Sequence, residues 1–303
     1  KFAGAGNYIV HLVLLLFLSL ALAGVGAILS DAADILTIKR YLKAPLLFIL
    51  NAIPVILLLL MLYHLSSRLW VSFFLGGGLY ILLNIINRFK MLLREEPLTL
   101  EDFLLGAEAA NVVVFSELPF NYSIIFSGVL WLAVSVFLFF VLKPVKLRWP
   151  VKAAGTVIPI LIFVLCFNTI YKDQNLYNSF EVQGSIYSQV NKFKSRGFTY
   201  SFLVRARSYK SIKPDNYSKT EAEQILAEYR NNDASSRSGK LPHIVAVMGE
   251  AFYDIDRIEG IEFNEGHDPL DNFNRIIKKA YAGRIVTNVF GGGTANTEFS
   301  FLT

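Results

Sequence analysis

Two short stretches of this sequence hold the side chains best suited to chemistry. Residues 290–303 read FGGGTANTEFSFLT. Gly291, Gly292 and Gly293 let backbone N–H groups converge on an anion and leave the next side chain exposed. That side chain is Thr294, followed by Asn296 and Glu298 at the expected start of a helix. Such a turn either presents a nucleophile or phosphate cradle, or is a glycine-rich corner whose threonine caps a helix. The second stretch is HIVAVMGE, residues 243–250. Its continuous apolar run, rich in β-branched residues, reads as a strand buried on both faces, as in parallel sheets. Ligands in open α/β sheets bind beyond the carboxyl ends of strands, which is where Gly249 and Glu250 fall. A carboxylate there suits a hard-metal ligand or general base, and equally a helix cap or a surface acid. His267 reads as a loop residue.

The elements around these stretches are those of a small α/β layer. Asp268-Pro269 predicts the start of a helix over LDNFNRIIKKA, with proline at its first position. GRIVTNVF, residues 283–290, predicts a second strand leading into the glycines. Upstream, Ser218 and Glu221 form a capping box for KTEAEQILAEYR, a helix expected to end near Asn231. Residues 232–240, NDASSRSGK, are a linker by composition. Residues 174–208 interleave basic and aromatic side chains and are expected to form helices and turns at a membrane surface, where headgroups explain the pattern better than nucleic acid.

The rest of the sequence is dominated by apolar runs. Of 303 residues, 54% are hydrophobic and 17% charged, against about 25% charged in soluble domains. The excess sits in residues 1–171, in runs near the roughly 20 residues a bilayer requires. Five transmembrane helices are expected, over Tyr8–Leu29, Ala44–Tyr63, Trp70–Ile86, Tyr122–Leu142 and about Ala153–Ile170. None of these ranges contains Asp, Glu, Lys or Arg, which argues against an ion-coupled transporter. His11 is expected to pack or to sit at the interface, and Cys166, the single cysteine, to be a small buried hydrophobe. Gly76, Gly77 and Gly78 could admit another helix at close range. The loop KPVKLRWPVK, residues 143–152, carries four bases and no acid. By the positive-inside rule it stays cytoplasmic, so the N-terminus is inside and the chain after Tyr171 outside. Residues 88–121 are expected to include amphipathic surface helices, one starting at Thr99 with Asp102 in its first turn.

Together these pieces resemble the lipoteichoic acid synthase and phosphoglycerol transferase family, a membrane branch of the alkaline phosphatase and sulfatase superfamily. The matching stretches are LREEPLTLEDF (93–103), RGFTYSFL (196–203), KPDNYS (213–218), VMGEAFYD (247–254), DPLDNF (268–273) and FGGGTANTEFSFLT (290–303). The resemblance implies a five-span helical domain over 1–171, juxtamembrane helices and a linker over 172–240, and the first part of a sulfatase-like α/β domain over 241–303. It implies Thr294 as nucleophile, and Glu250 with Thr294 as ligands of a divalent metal, Mn²⁺ foremost, with Mg²⁺ or Zn²⁺ as alternatives. Gly292, Gly293 and Asn296 would contact substrate. The donor would be phosphatidylglycerol of the outer leaflet, and the acceptor a glycolipid, a growing polymer or a wall glycan, at the surface of a Gram-positive type of cell. The family completes its metal site with a later Asp-His pair. With Lys1 at the start and nine residues after Thr294, the sequence reads as a fragment expected not to turn over alone. The competing readings are a non-catalytic membrane-anchored envelope protein with a degenerate domain, and a related phosphoethanolamine transferase or sulfatase.

Overall fold

The computed structural model describes residues 5–30, 35–104, 122–208, 217–233 and 268–280, with single positions at 245, 249, 255, 258, 260, 263 and 283. They divide into two units, residues 1–211 and 212–303.

The first unit is a helical bundle. Its elements are α1 (Ala5–Ser30), α2 (Ile35–Lys43), α3 (Pro45–Ser66), α4 (Leu69–Ser72), a π-helical turn (Phe73–Gly77), α5 (Gly78–Arg94), α6 (Leu100–Leu104), α7 (Tyr122–Val141), α8 (Trp149–Thr169), α9 (Gln174–Ser179), α10 (Gln189–Arg196) and α11 (Phe198–Ser208). Five helical segments are long and apolar enough to cross a bilayer: Asn7–Leu29, Pro45–Ser66, Leu69–Leu93, Tyr122–Val141 and Trp149–Thr169. This is a multi-pass membrane protein by length and composition.

The third span departs from the sequence reading. It runs past Ile86 to Leu93 and so takes in Arg88 and Lys90. The helix can continue because both cations find oxygen partners. Arg88 Nη1 donates to Leu29 O at 3.3 Å and to Ser123 Oγ at 3.1 Å. Lys90 Nζ donates to Pro97 O at 3.0 Å and to the Asp102 carboxylate at 2.8 Å. Pairing of this kind lets a cation be carried at the end of an apolar span.

Span α3 is central. It packs along α1, α8 and the α4–π–α5 segment, and its Val55, Leu59 and Tyr63 join Leu15, Leu22, Phe73 and Ile81 in the main core. The close approach expected at the triple glycine is made by a side chain of α7. A Cβ on Gly78 would lie 2.7 Å from the Trp131 ring, and Trp131 also stacks on Phe74 at 4.8 Å. Trp131 Nε1 donates to Phe73 O at 3.3 Å, at the start of the π turn. Such turns loosen the regular backbone ladder.

The span ends form two faces. Leu29, Pro45, Arg88, Ser123 and Tyr171 belong to one, tied by the Arg88 bonds and by Tyr171 Oη donating to Leu50 O at 2.8 Å. Tyr8, His64, Ser67 and Val145 belong to the other, where Val145 N donates to Ser67 O at 3.3 Å. His11 behaves as the sequence suggested. It is buried and its Nδ1 lies 3.1 Å from Tyr63 Oη. His64 Nδ1 is 2.8 Å from Leu60 O, which can only accept, so Nδ1 carries a proton, and Nε2 lies 2.9 Å from Tyr8 Oη. Cys166 is half-buried rather than fully enclosed, because α8 lies at the rim of the bundle with most of its surface toward lipid.

The second unit contributes two helices, α12 (Lys219–Asp233) and α13 (Asp271–Ile277). Ser218 caps α12, its Oγ accepting from Glu221 N at 3.3 Å, and the helix runs two residues past Asn231. The expected start at Pro269 shifts to Asp271, because Asp268 Oδ1 instead accepts from Leu270 N at 2.7 Å and forms a local turn. Among the described residues there is no strand in this unit. Of the run 244–248 only Val245 is described, and it is 84% exposed. The second predicted strand has only Gly283 among the described residues.

A Cβ on Gly155 would stand 2.0 Å from His64 Cδ2, whereas one on Gly128 meets nothing within 4 Å. Gly155→Leu is therefore expected to cost about 1–3 kcal/mol through overpacking of α8 on α3. Gly128→Ala should be neutral. Unfolding midpoints of the detergent-solubilised chain check the pair.

Candidate functional site

The residues singled out for catalysis, Glu250, Gly292, Gly293, Thr294 and Asn296, lie outside the described residues, as does His267. Among the described residues, no three His, Cys, Asp or Glu side chains come together to hold a metal. What the structure does describe in detail is the face on which the spans meet α6 and α9–α11.

This platform is assembled on α3 by one buried amide. Asn51, inside the span and 4% exposed, donates from Nδ2 to Leu47 O at 2.9 Å and to Arg196 O at 3.0 Å. Its Oδ1 accepts from Tyr200 N at 3.0 Å. Arg196 O is an end carbonyl of α10 and Tyr200 N an early donor of α11, the backbone groups that helix ends leave without partners. Gly197 sits between them at φ +86°, where side chains are strained, and a Cβ there would lie 2.4 Å from Asn51 Oδ1.

Arg196 holds the next layer. Its guanidinium lies 4.1 Å over the Tyr177 ring, and Nε and Nη2 donate to Phe180 O at 3.1 and 2.9 Å. Tyr171, Tyr177 and Tyr200 pack with Leu47 and Leu50 into one core. Burial, followed by the neighbouring Tyr177, pushes the Tyr200 hydroxyl up to about 12, and burial raises Tyr171 further still. Both phenols are neutral at physiological pH. Arg40 of α2 straps the outer edge, donating to Gln183 Oε1 at 2.9 Å and to Lys194 O.

The 93–103 stretch docks beside it. Leu98 N donates to Asn87 Oδ1 at 2.9 Å. Asp102 accepts from Thr99 N at 2.7 Å and from Thr99 Oγ1 at 3.0 Å, the expected acidic first turn, while it pairs with Lys90. Met91, Leu98, Phe193 and Phe198 form a second small core.

Beneath α11 an apolar cleft of about 310 Å³ opens between α3, α5 and α8. Pro54, Leu58, Met61, Leu79 and Phe163 line its depth, and Phe202 its upper lip. The Tyr80 and Thr199 hydroxyls, 3.4 Å apart, are the polar groups at its edge.

In the sequence Asn51 is an amide inside the second apolar run, with nothing local to assign it a role. A buried amide in an apolar helix demands partners, and the RGFTYSFL stretch supplies them. The cleft left no signal in the sequence, because its lining residues belong to four separate elements.

Comparison with family models, with curated proteins and with solved structures finds no match for this chain.

Asn51→Leu leaves Arg196 O and Tyr200 N buried without partners, at about 1–3 kcal/mol each. The variant should expose 170–208 to limited proteolysis in detergent while the spans stay protected. Gly197→Ala should act in the same direction. Unchanged cleavage in both would mean the platform is held elsewhere.

Proposed function

We propose that this chain serves glycerophosphotransfer at the cell envelope, with phosphatidylglycerol as the donor of the group. The observation that carries the reading is the glycine-rich stretch running into Thr294, Asn296 and Glu298, downstream of the Gly249-Glu250 pair. The five-span bundle is support of a coarser kind, since a lipid donor requires a membrane-embedded enzyme or one held against the bilayer.

Thr294 is the nucleophile. Its hydroxyl is inert at its ordinary pKa and needs activation. The donor set fits a hard divalent cation: Glu250 offers a carboxylate and Thr294 a hydroxyl oxygen, so these two residues would hold Mn²⁺, Mg²⁺ or Zn²⁺. When bound, the cation would supply positive charge that favours the alkoxide. Thr294 Oγ forms a bond to phosphorus as the bond to the diacylglycerol oxygen breaks, and diacylglycerol leaves with a proton. Gly292 and Gly293 N–H groups and the Asn296 amide receive the phosphoryl oxygens. An acceptor hydroxyl of a glycolipid, polymer or wall glycan then attacks the same phosphorus and frees Thr294.

Glycerol-labelled phosphatidylglycerol given to the intact protein should yield diacylglycerol and a labelled Thr294 peptide. Thr294→Ala should abolish the adduct, and Glu250→Ala or chelation should suppress it by about 10²-fold or more. An equal adduct in Thr294→Ala would refute the nucleophile. Transfer of phosphoethanolamine in place of glycerol phosphate would move the protein to the neighbouring chemistry.

The platform face is taken to be extracellular. In a Cys166→Ser background, Lys172→Cys should react with a membrane-impermeant maleimide in intact cells. Lys146→Cys should react only after permeabilisation. The opposite pattern would invert the topology and remove the outer-leaflet donor.

A further inference from the structure

We infer that the cleft beneath α11 seats one acyl chain of an anionic glycerophospholipid, with the lipid phosphate received by Lys192 and Arg205 above it. That this lipid is the donor rests on the phosphotransfer reading; that an anionic phospholipid occupies the cleft does not.

Depth is the first argument. From Pro54 to Met61 the lining follows α3 for seven residues, about 10 Å at the helical rise. Leu79 and Phe163 face the same space from other spans. An apolar cleft between membrane spans, bounded on the platform side by Phe198, Phe202 and Leu203 of α11, has the chemistry of a lipid-tail site. Its volume of about 310 Å³ suits a stretch of a single acyl chain.

Charge is the second. Phe198, Phe202 and Arg205 lie on one stripe of α11, three and four residues apart, so Arg205 follows the cleft lip by one turn. Its Nε is buried and has no hydrogen-bond partner among the described residues. Lys192, on the adjacent α10, is half-buried, and no acid among the described residues pairs with it. Burial, then Arg196, then Arg205 hold its ammonium below the usual lysine range. Cations crowded together without an acid are poised for an outside anion. Arg196 is committed to Phe180 O and Tyr177, which leaves Lys192 and Arg205 for that anion.

The test uses the 303-residue chain in phosphatidylcholine nanodiscs. The probe is phosphatidylglycerol with a diazirine at the end of one acyl chain. A phosphatidylcholine bearing the same chain is the comparison. After irradiation, label should concentrate on peptides covering 54–61 and 159–163, favour the anionic probe by about tenfold, and fall on addition of unlabelled phosphatidylglycerol. Leu58→Trp and Leu203→Trp, which fill the cleft from two sides, should each remove it. Lys192→Gln combined with Arg205→Gln should erase the headgroup preference while label stays at the same depth. Label spread evenly over the lipid-facing surfaces of the spans, or equal labelling by both probes in the unaltered chain, overturns the inference. Persistent cleft labelling without a Thr294 adduct in the intact protein would sink the phosphotransfer reading alone. An adduct without cleft labelling would sink the cleft alone.

Discussion

Asn51 is the joint on which the described structure turns. Within a predominantly apolar span, one amide uses both its donor and its acceptor capacity on backbone. It ties its own helix to the break between α10 and α11. Hydrocarbon offers no water to substitute, so each of these bonds counts for more than it would at a wet surface. Gly197 makes the approach sterically feasible, and Arg196 carries the constraint outward to Tyr177 and Phe180. The position of α11, and with it the roof of the cleft, follows from that corner.

Cations on this face divide by whether they have partners. Arg88 and Lys90 are matched by carbonyl, hydroxyl and carboxylate oxygens and act as fasteners between helices. Lys192 and Arg205 have no acid paired with them among the described residues, and Arg205 follows Phe202 of the cleft lip by one helical turn.

The bundle was legible because hydropathy runs report membrane spans directly. The capping signals at Ser218 and Thr99 were legible because they depend on neighbours in sequence. Arg88 misled the reading of the third span. A charge ends an apolar run on paper, yet its partners Leu29 and Ser123 come from distant helices. The short helix Ile35–Lys43 escaped notice because nine amphipathic residues between two long spans look like a loop. Of the chemistry-bearing residues, Thr294 and Glu250 stand out by motif alone and lie outside the described residues. The cleft is a property of assembly that no single stretch encodes.

The third span has a mechanical corollary. A 25-residue helix reaches about 37 Å, while the hydrocarbon slab is about 30 Å thick. The surplus is roughly one turn, and it falls at Arg88–Leu93, the part anchored to Pro97, Leu98 and Asp102. The overhang acts as a post that fixes the height of the aromatic and cationic shelf above the acyl region. In a thicker membrane the post would sink and draw the shelf into the headgroups; in a thinner one it would tilt. Lipid composition can thus set the elevation of this surface with no ligand involved.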